Sequence, residues 1–191
     1  MNKRRPTTYK EDYRDSLDEN HKIIYDLFVK YKPESNIFIE TGCHLGSGIT
    51  KAINAGYTKI FSCDINMPRV DHCINLINEM DNIPSNFEPW IYNCTSAEYL
   101  THLLPTIDTG VTFWLDAHDE GGGVPLFEEL ALIKKLFKNN TSTIIMDDVS
   151  LYISEKGLSA IQTIITDINP DYTFEFIDTN RTDSILIAYI S

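Results

Sequence analysis

From residue 36 to the end of the chain, strand-type and helix-type segments alternate, and no other feature restricts the fold as much. The strand segments "NIFIET", "TKIFSCD", "EPWIYN", "GVTFWLD" and "STIIMDD" are followed in turn by the helix patterns "SGITKAINAG", "PRVDHCINLINEM", "SAEYLTHLL", "PLFEELALIKKLFK" and "EKGLSAIQTIITDI". Strands separated by helices of this length form parallel βαβ units, so the class is α/β with a parallel sheet covered on both faces. The last two strand segments, "YTFEFID" and "SILIAYI", are joined by "TNRTD", which is too short for a crossover helix. They should form an antiparallel hairpin at the end of the sheet.

Upstream, "SLDENHKIIYDLFVKY" sets Leu17, Ile24, Leu27, Phe28 and Tyr31 near helical spacing before Pro33, which predicts an amphipathic N-terminal helix. Residues 1–35 therefore read as a helical extension of one domain spanning 36–191, without repeats, low-complexity tracts or linkers. In "PLFEELALIKKLFK", Leu126, Leu130, Ile133 and Phe137 form a stripe, and Glu128, Glu129, Lys134 and Lys135 read as the solvated face of a helix covering the sheet.

In open α/β sheets ligands lie at the carboxyl ends of the strands, near the point where strand order reverses. Four of the first five strands end in carboxylates: Glu40, Asp64, Asp116, and the pair Asp147 and Asp148. After the first strand, "ETGCHLGSG" spends Gly42, Gly46 and Gly48 within seven positions. Glycines there serve a tight turn or allow a close approach to the backbone. Asp64, about twenty residues beyond, suits either the hydroxyls of a ribose or the cap of the next helix. Asp116, Asp147 and Asp148 would gather three carboxylates, an arrangement that calls for a cation or for protons, and hard oxygen ligands suit Mg²⁺ or Ca²⁺ better than zinc. Capping and loop hydrogen bonds are the plainer use of the same aspartates.

"ETGCHLGSG" resembles motif I of S-adenosylmethionine-dependent methyltransferases, in the E-x-G-x-x-x-G form of cation-dependent, catechol-type O-methyltransferases. Five βα units and a terminal hairpin are similar to the class I methyltransferase fold, and the resemblance spans residues 36–191. It implies a Rossmann-like sheet of order 3-2-1-4-5-7-6 with strand 7 reversed. It also implies S-adenosylmethionine as cofactor, with Gly42 to Gly46 around its methionine part, Glu40 near its amino end or orienting the loop, and Asp64 on its ribose. "NCTSAEYL" resembles the G-D-S-A-E-x-L segment of that family, which assigns adenine contact to Thr95 and Ser96, although Cys94 and Thr95 replace the glycine and the acid. By the same resemblance Asp116, Asp147 and Asp148 hold Mg²⁺, Asp116 adjoins the cofactor, and a small hydroxylated acceptor such as a sugar or natural product is methylated on oxygen. Asp116 or His118 takes the hydroxyl proton, His44 is a candidate cofactor contact, and the "DEGGGVP" loop is a candidate lid or acceptor wall.

The net charge of −12 speaks against a nucleic acid or an anionic membrane as the main partner. The basic start "MNKRRPTTYKEDYRD" lacks the apolar core of a signal peptide, and a cytoplasmic location is expected. Cys43, Cys63, Cys73 and Cys94 form no C-x-x-C pair and read as buried free thiols. The N-terminal helix is left with two uses, covering the site or forming a homodimer. Two rival functions remain open: a nicotinamide-dependent oxidoreductase, since a glycine turn followed by Asp64 also suits a dinucleotide, and a non-catalytic S-adenosylmethionine-binding module.

Overall fold

The structure, a computed structural model, describes residues 13–81, 83–118, 124–180, 182 and 184–190. Helix α1 (Glu19–Lys30) precedes β1 (Ile37–Thr41), α2 (Ser47–Ala55), β2 (Lys59–Asp64), α3 (Met67–Glu79), β3 (Glu88–Asn93) and α4 (Ser96–Leu103). Then follow β4 (Thr112–Leu115), α5 (Leu126–Leu136), β5 (Thr143–Met146), the short α6 (Val149–Tyr152), α7 (Glu155–Ile168), β6 (Thr173–Ile177) and β7 (Ile185–Tyr189). Every expected element is present, and α6 is an addition. The sheet order is β3-β2-β1-β4-β5-β7-β6, with β7 antiparallel to both β5 and β6.

Side-chain alternation along the strands builds one core on each face of the sheet. Phe38 of β1 packs with Phe28 of α1, Ile49 of α2 and Val70 of α3. Its neighbour Ile39 faces the other way, toward Leu100 of α4, Leu130 and Ile133 of α5, and Ile161 of α7.

Helix α1 is part of this core. Asp18 caps it by accepting from the His21 N–H, and its Phe28 ring lies 4.8 Å from Phe38 and 5.1 Å from Trp114. The Tyr57 hydroxyl, deep under the sheet, donates to the Phe28 carbonyl at 3.0 Å. Of the two uses left open for α1, covering the site receives no support: no described α1 residue lines the cleft below. All four cysteines are free thiols, three of them buried. Among the described residues no helix is long and apolar enough to cross a membrane.

Candidate functional site

Strand register explains why residues so far apart in sequence share one rim. Thr41 pairs with Leu115, and Leu115 with Met146, so the next residues, Gly42, Asp116 and Asp147, leave the sheet at one level. The ladder runs one step further, with Asp116 N–H donating to the Thr41 carbonyl at 3.2 Å and Asp147 N–H to the Leu115 carbonyl at 3.1 Å. Gly42, beside Asp116 in this row, has φ +82°. A β-carbon there would lie 2.8 Å from the Asp116 carbonyl oxygen and 2.9 Å from Ala117 Cα, so Gly42 is needed to let the β4 exit pass.

The other two glycines also answer to protein neighbours. A side chain at Gly46 would meet Leu76 on α3, and one at Gly48 would overlap the Glu40 carboxylate. Glu40 is fully buried on the α2 face of the sheet, where it accepts from the Ser62 hydroxyl at 2.5 Å. Burial raises its pKa to about 7 against the pull of Ser62 and of the buried Lys51. Glu40 thus supports the turn from beneath, against Gly48 and Ser62.

Asp64 faces the glycine turn. Its Oδ2 accepts from the His44 N–H at 3.0 Å and its Oδ1 from the Asn66 N–H at 2.9 Å, with the Arg69 guanidinium 3.7 Å away. Helix α3 is capped by Asn66, whose side chain accepts from the Arg69 N–H. Asp64 is therefore not the cap of that helix, and each of its oxygens retains a lone pair for a ligand. It lines two adjoining hollows that share Gly42 and His118. One, of about 570 Å³, reaches Thr95, Ser96 and Val124; the other, of about 340 Å³, reaches His44, Arg69, Asp116 and Asp148.

At the far side of this cleft, His118 stands between two acids, Nδ1 3.8 Å from Asp116 and Nε2 3.6 Å from Asp148. One ligand atom from each of Asp116, His118 and Asp148 lies within 4.8 Å of the others. Asp147 is not in that set: its Oδ1 accepts from the Asp148 N–H at 2.8 Å, which turns its carboxylate to the backbone. Asp148 itself sits at φ +55°, a left-handed conformation that aspartate tolerates better than most residues. Burial, then the charges of Asp147 and Glu40, raise the Asp116 pKa well above the usual carboxylate range, and burial lowers that of His118. Lys51, 3 % exposed on α2, is the cation whose charge reaches Glu40, Asp116 and Asp147 from below.

Thr95 and Ser96 line the larger hollow, but their hydroxyls are engaged. Thr95 caps α4 in a reciprocal capping box with Glu98, and the Ser96 hydroxyl turns to Glu129. What they offer a ligand is a wall and helix-terminal backbone.

Glu129 corrects the reading of α5 as carrying its charges to solvent. It is 1 % exposed, and burial raises its pKa to about 7 against the Ser96 and Thr41 hydroxyls. Glu129 Oε1 and Thr41 Oγ1 have no partner of hydrogen-bond geometry among the described residues. The signal was in the spacing, because Glu129 lies three residues after Leu126 and four before Ile133, on the buried stripe. Lys51 and Arg69 were also missed. Of the candidate lid or acceptor wall, residues 119–125, residues 119–123 lie outside the described residues, and Val124 and Pro125 line the larger hollow.

No family model matches this chain, and no curated protein matches it. Solved structures do. A Staphylococcus aureus protein, provisionally described as a caffeoyl-CoA O-methyltransferase, matches with a TM-score of 0.58 at 12 % identity, over 98 % of this chain and 93 % of that one. A Podospora anserina methyltransferase bound to S-adenosylhomocysteine matches with a TM-score of 0.57 at 9 % identity, over 96 % and 87 %. An rRNA methylase of Streptococcus thermophilus matches with a TM-score of 0.58 at 8 % identity, over 91 % and 98 %. The fold is that of class I methyltransferases. Proteins so different in their acceptors share it that it does not name the substrate.

Proposed function

We propose that the protein is an S-adenosylmethionine-dependent methyltransferase that methylates a hydroxyl of a small acceptor, assisted by a divalent cation. One observation carries this reading: a continuous cleft at the strand ends has the Asp64 carboxylate at one side and Asp116, His118 and Asp148 at the other. Asp64 would accept from the ribose hydroxyls, the turn from Gly42 to Gly46 would enclose the methionine part, and Thr95 and Ser96 would border the adenine.

The donor set fits a cation. Two carboxylate oxygens and an imidazole nitrogen suit Mg²⁺ through the acids and admit Mn²⁺ through the histidine. Bound there, S-adenosylmethionine supplies an electrophilic methyl group and the cation favours the ionised acceptor hydroxyl. The residues themselves hold the acceptor oxygen near the cofactor and keep it oriented. His118, kept neutral by burial, is the alternative base if it is not a ligand.

A small acceptor is favoured over RNA because the cleft carries Asp64, Asp116 and Asp148 on a chain of net charge −12, which repels a phosphate backbone. The reversed β7 disfavours the nicotinamide reading, whose sheet order is 3-2-1-4-5-6 throughout.

The test is transfer of labelled methyl from S-adenosylmethionine to a panel of phenolic and sugar hydroxyls, with Mg²⁺ or Mn²⁺ and then with chelator. Cation-dependent transfer that disappears in Asp116→Asn and Asp148→Asn is expected. Transfer undiminished by chelator removes the cation and leaves His118 as base. Cofactor binding without transfer to any acceptor turns the reading into a binding module.

A further inference from the structure

An apolar region lies on the flank of the sheet, adjoining the cleft at Cys94. Strand β3 is the edge of the sheet, and five of its six residues are exposed. Trp90 is 48 % and Tyr92 43 % exposed, on a strand whose only ionisable side chains are Glu88 and the Tyr92 phenol. A hollow of about 780 Å³ opens beside them, lined by Phe61, Tyr99 and Leu103, with Glu88, Glu98 and His102 at its border. A second, of about 310 Å³, lies on the opposite face between Ile74, Ile77 and Ile91. Soluble proteins guard such edges with charges, bulges or a covering segment.

The backbone of β3 is ordered for pairing. Glu88 N–H donates to the Thr58 carbonyl at 2.8 Å, so the main-chain groups of Glu88, Trp90 and Tyr92 face β2. Those of Pro89, Ile91 and Asn93 face outward, and Pro89, with no N–H, withholds one donor from that side.

We propose that β3 is a homodimer interface, in which the edge strands of two copies pair antiparallel about a twofold axis at Ile91 and join the two sheets. In this register Ile91 exchanges two hydrogen bonds with Ile91 of the other copy. Asn93 opposes Pro89, so each Asn93 N–H meets a Pro89 carbonyl and the missing proline N–H leaves only the Asn93 carbonyl without a donor. Trp90 opposes Tyr92 on both sides of the axis, giving two cross-strand aromatic pairs beside Phe61. On the other face Ile91 meets its equivalent and Pro89 meets Asn93, above Ile74 and Ile77. Glu88 falls opposite Cys94, so no like charges are brought face to face. Moving the axis to Trp90 would set Asn93 against Phe87, beyond the strand, and Glu88 against Tyr92.

A second copy is the occupant because the surface is complementary to itself: each outward donor, each ring and every outward acceptor but the Asn93 carbonyl finds its partner in the same strand reversed. A single six-residue strand with its flanks makes a small interface, so association is expected to be weak and concentration-dependent. With −12 charges on each chain, association through this apolar edge strengthens as salt screens the repulsion. The two clefts then lie at opposite ends of the joined sheet, so this assembly stands independently of the methyl-transfer reading.

Sedimentation velocity of the whole chain at about 1 to 100 µM, with and without added NaCl, tests this. The wild type is expected to sediment at twice the chain mass, more completely at high salt, and Trp90→Glu and Ile91→Lys are expected to sediment as monomers. Circular dichroism checks that both variants fold; if Ile91→Lys does not, Trp90→Glu at a half-exposed position decides. A wild type that stays monomeric throughout, or a dimer that both folded variants leave intact, overturns the proposal.

Discussion

The rim at the ends of β1, β4 and β5 and the outer edge of β3 are both open to solvent, yet they are built from opposite materials. At the rim, acids that repel one another are held in place by strand register, by Lys51 beneath them and by backbone N–H groups. At the edge, aromatic side chains and main-chain groups lie exposed with almost no charge among them. An arrangement that is electrostatically costly points to a ligand that relieves the cost, here a cation and a polar cofactor. An arrangement that is apolar and hydrogen-bond deficient points to a partner that covers it.

If the rim is the reactive region, substitutions there act on chemistry before stability. His118→Ala and Asp148→Ala are expected to lower methyl transfer by about 100-fold or more, measured as initial rates at saturating cation, while their melting temperatures stay close to the wild type. A fall in stability equal to the fall in rate would reduce the cluster to a structural one.

The exception on the rim is Gly42. Its φ of +82° and the 2.8 Å approach of the Asp116 carbonyl predict that Gly42→Ala destabilises by about 2–3 kcal/mol, read by denaturant unfolding. At the edge, Trp90→Ala should cost less than about 1 kcal/mol in the monomer by the same measurement, since no core is opened. Equal losses at the two positions would erase the distinction between a packed rim and an uncovered edge.

A further effect concerns pH. Glu129 and Glu40 have pKa values of about 7 in the folded chain, above their unfolded values, so the fold binds more protons between the two. Their contribution is fully present below the unfolded pKa of roughly 4.3 and is lost as pH rises through about 7. Glu129→Gln should flatten the decline of melting temperature over that window. An unchanged profile would mean that the Glu129 carboxyl is not held protonated.

The fold was legible because period and length fix it: βα alternation gives the parallel sheet, and a five-residue link forces the final hairpin. Asp64 and Asp116 were legible because strand ends are predictable, and strand ends converge. That His118, and not Asp147, has a ligand atom within 4.8 Å of those of Asp116 and Asp148 was not, since it depends on how the chain turns after β4 and β5. Lys51 was hidden because a single lysine in "SGITKAINA" carries no sign that acids will lie above it. Glu129 could have been found from its place on the apolar stripe of α5. The openness of β3 follows from strand order, but its exposure follows from what the neighbouring helices leave uncovered, which no local pattern records.

If the cleft bordered by Asp64 and the glycine turn is a cofactor site, it binds S-adenosylhomocysteine in the absence of any acceptor. Isothermal titration of the protein with S-adenosylhomocysteine, beside Asp64→Ala, is the test. Saturable heat is expected for the wild type, with an affinity lower by about 10-fold or more in the variant through the loss of hydrogen bonds to a charged acceptor. No heat from the folded wild type, or the same affinity in both proteins, would contradict it.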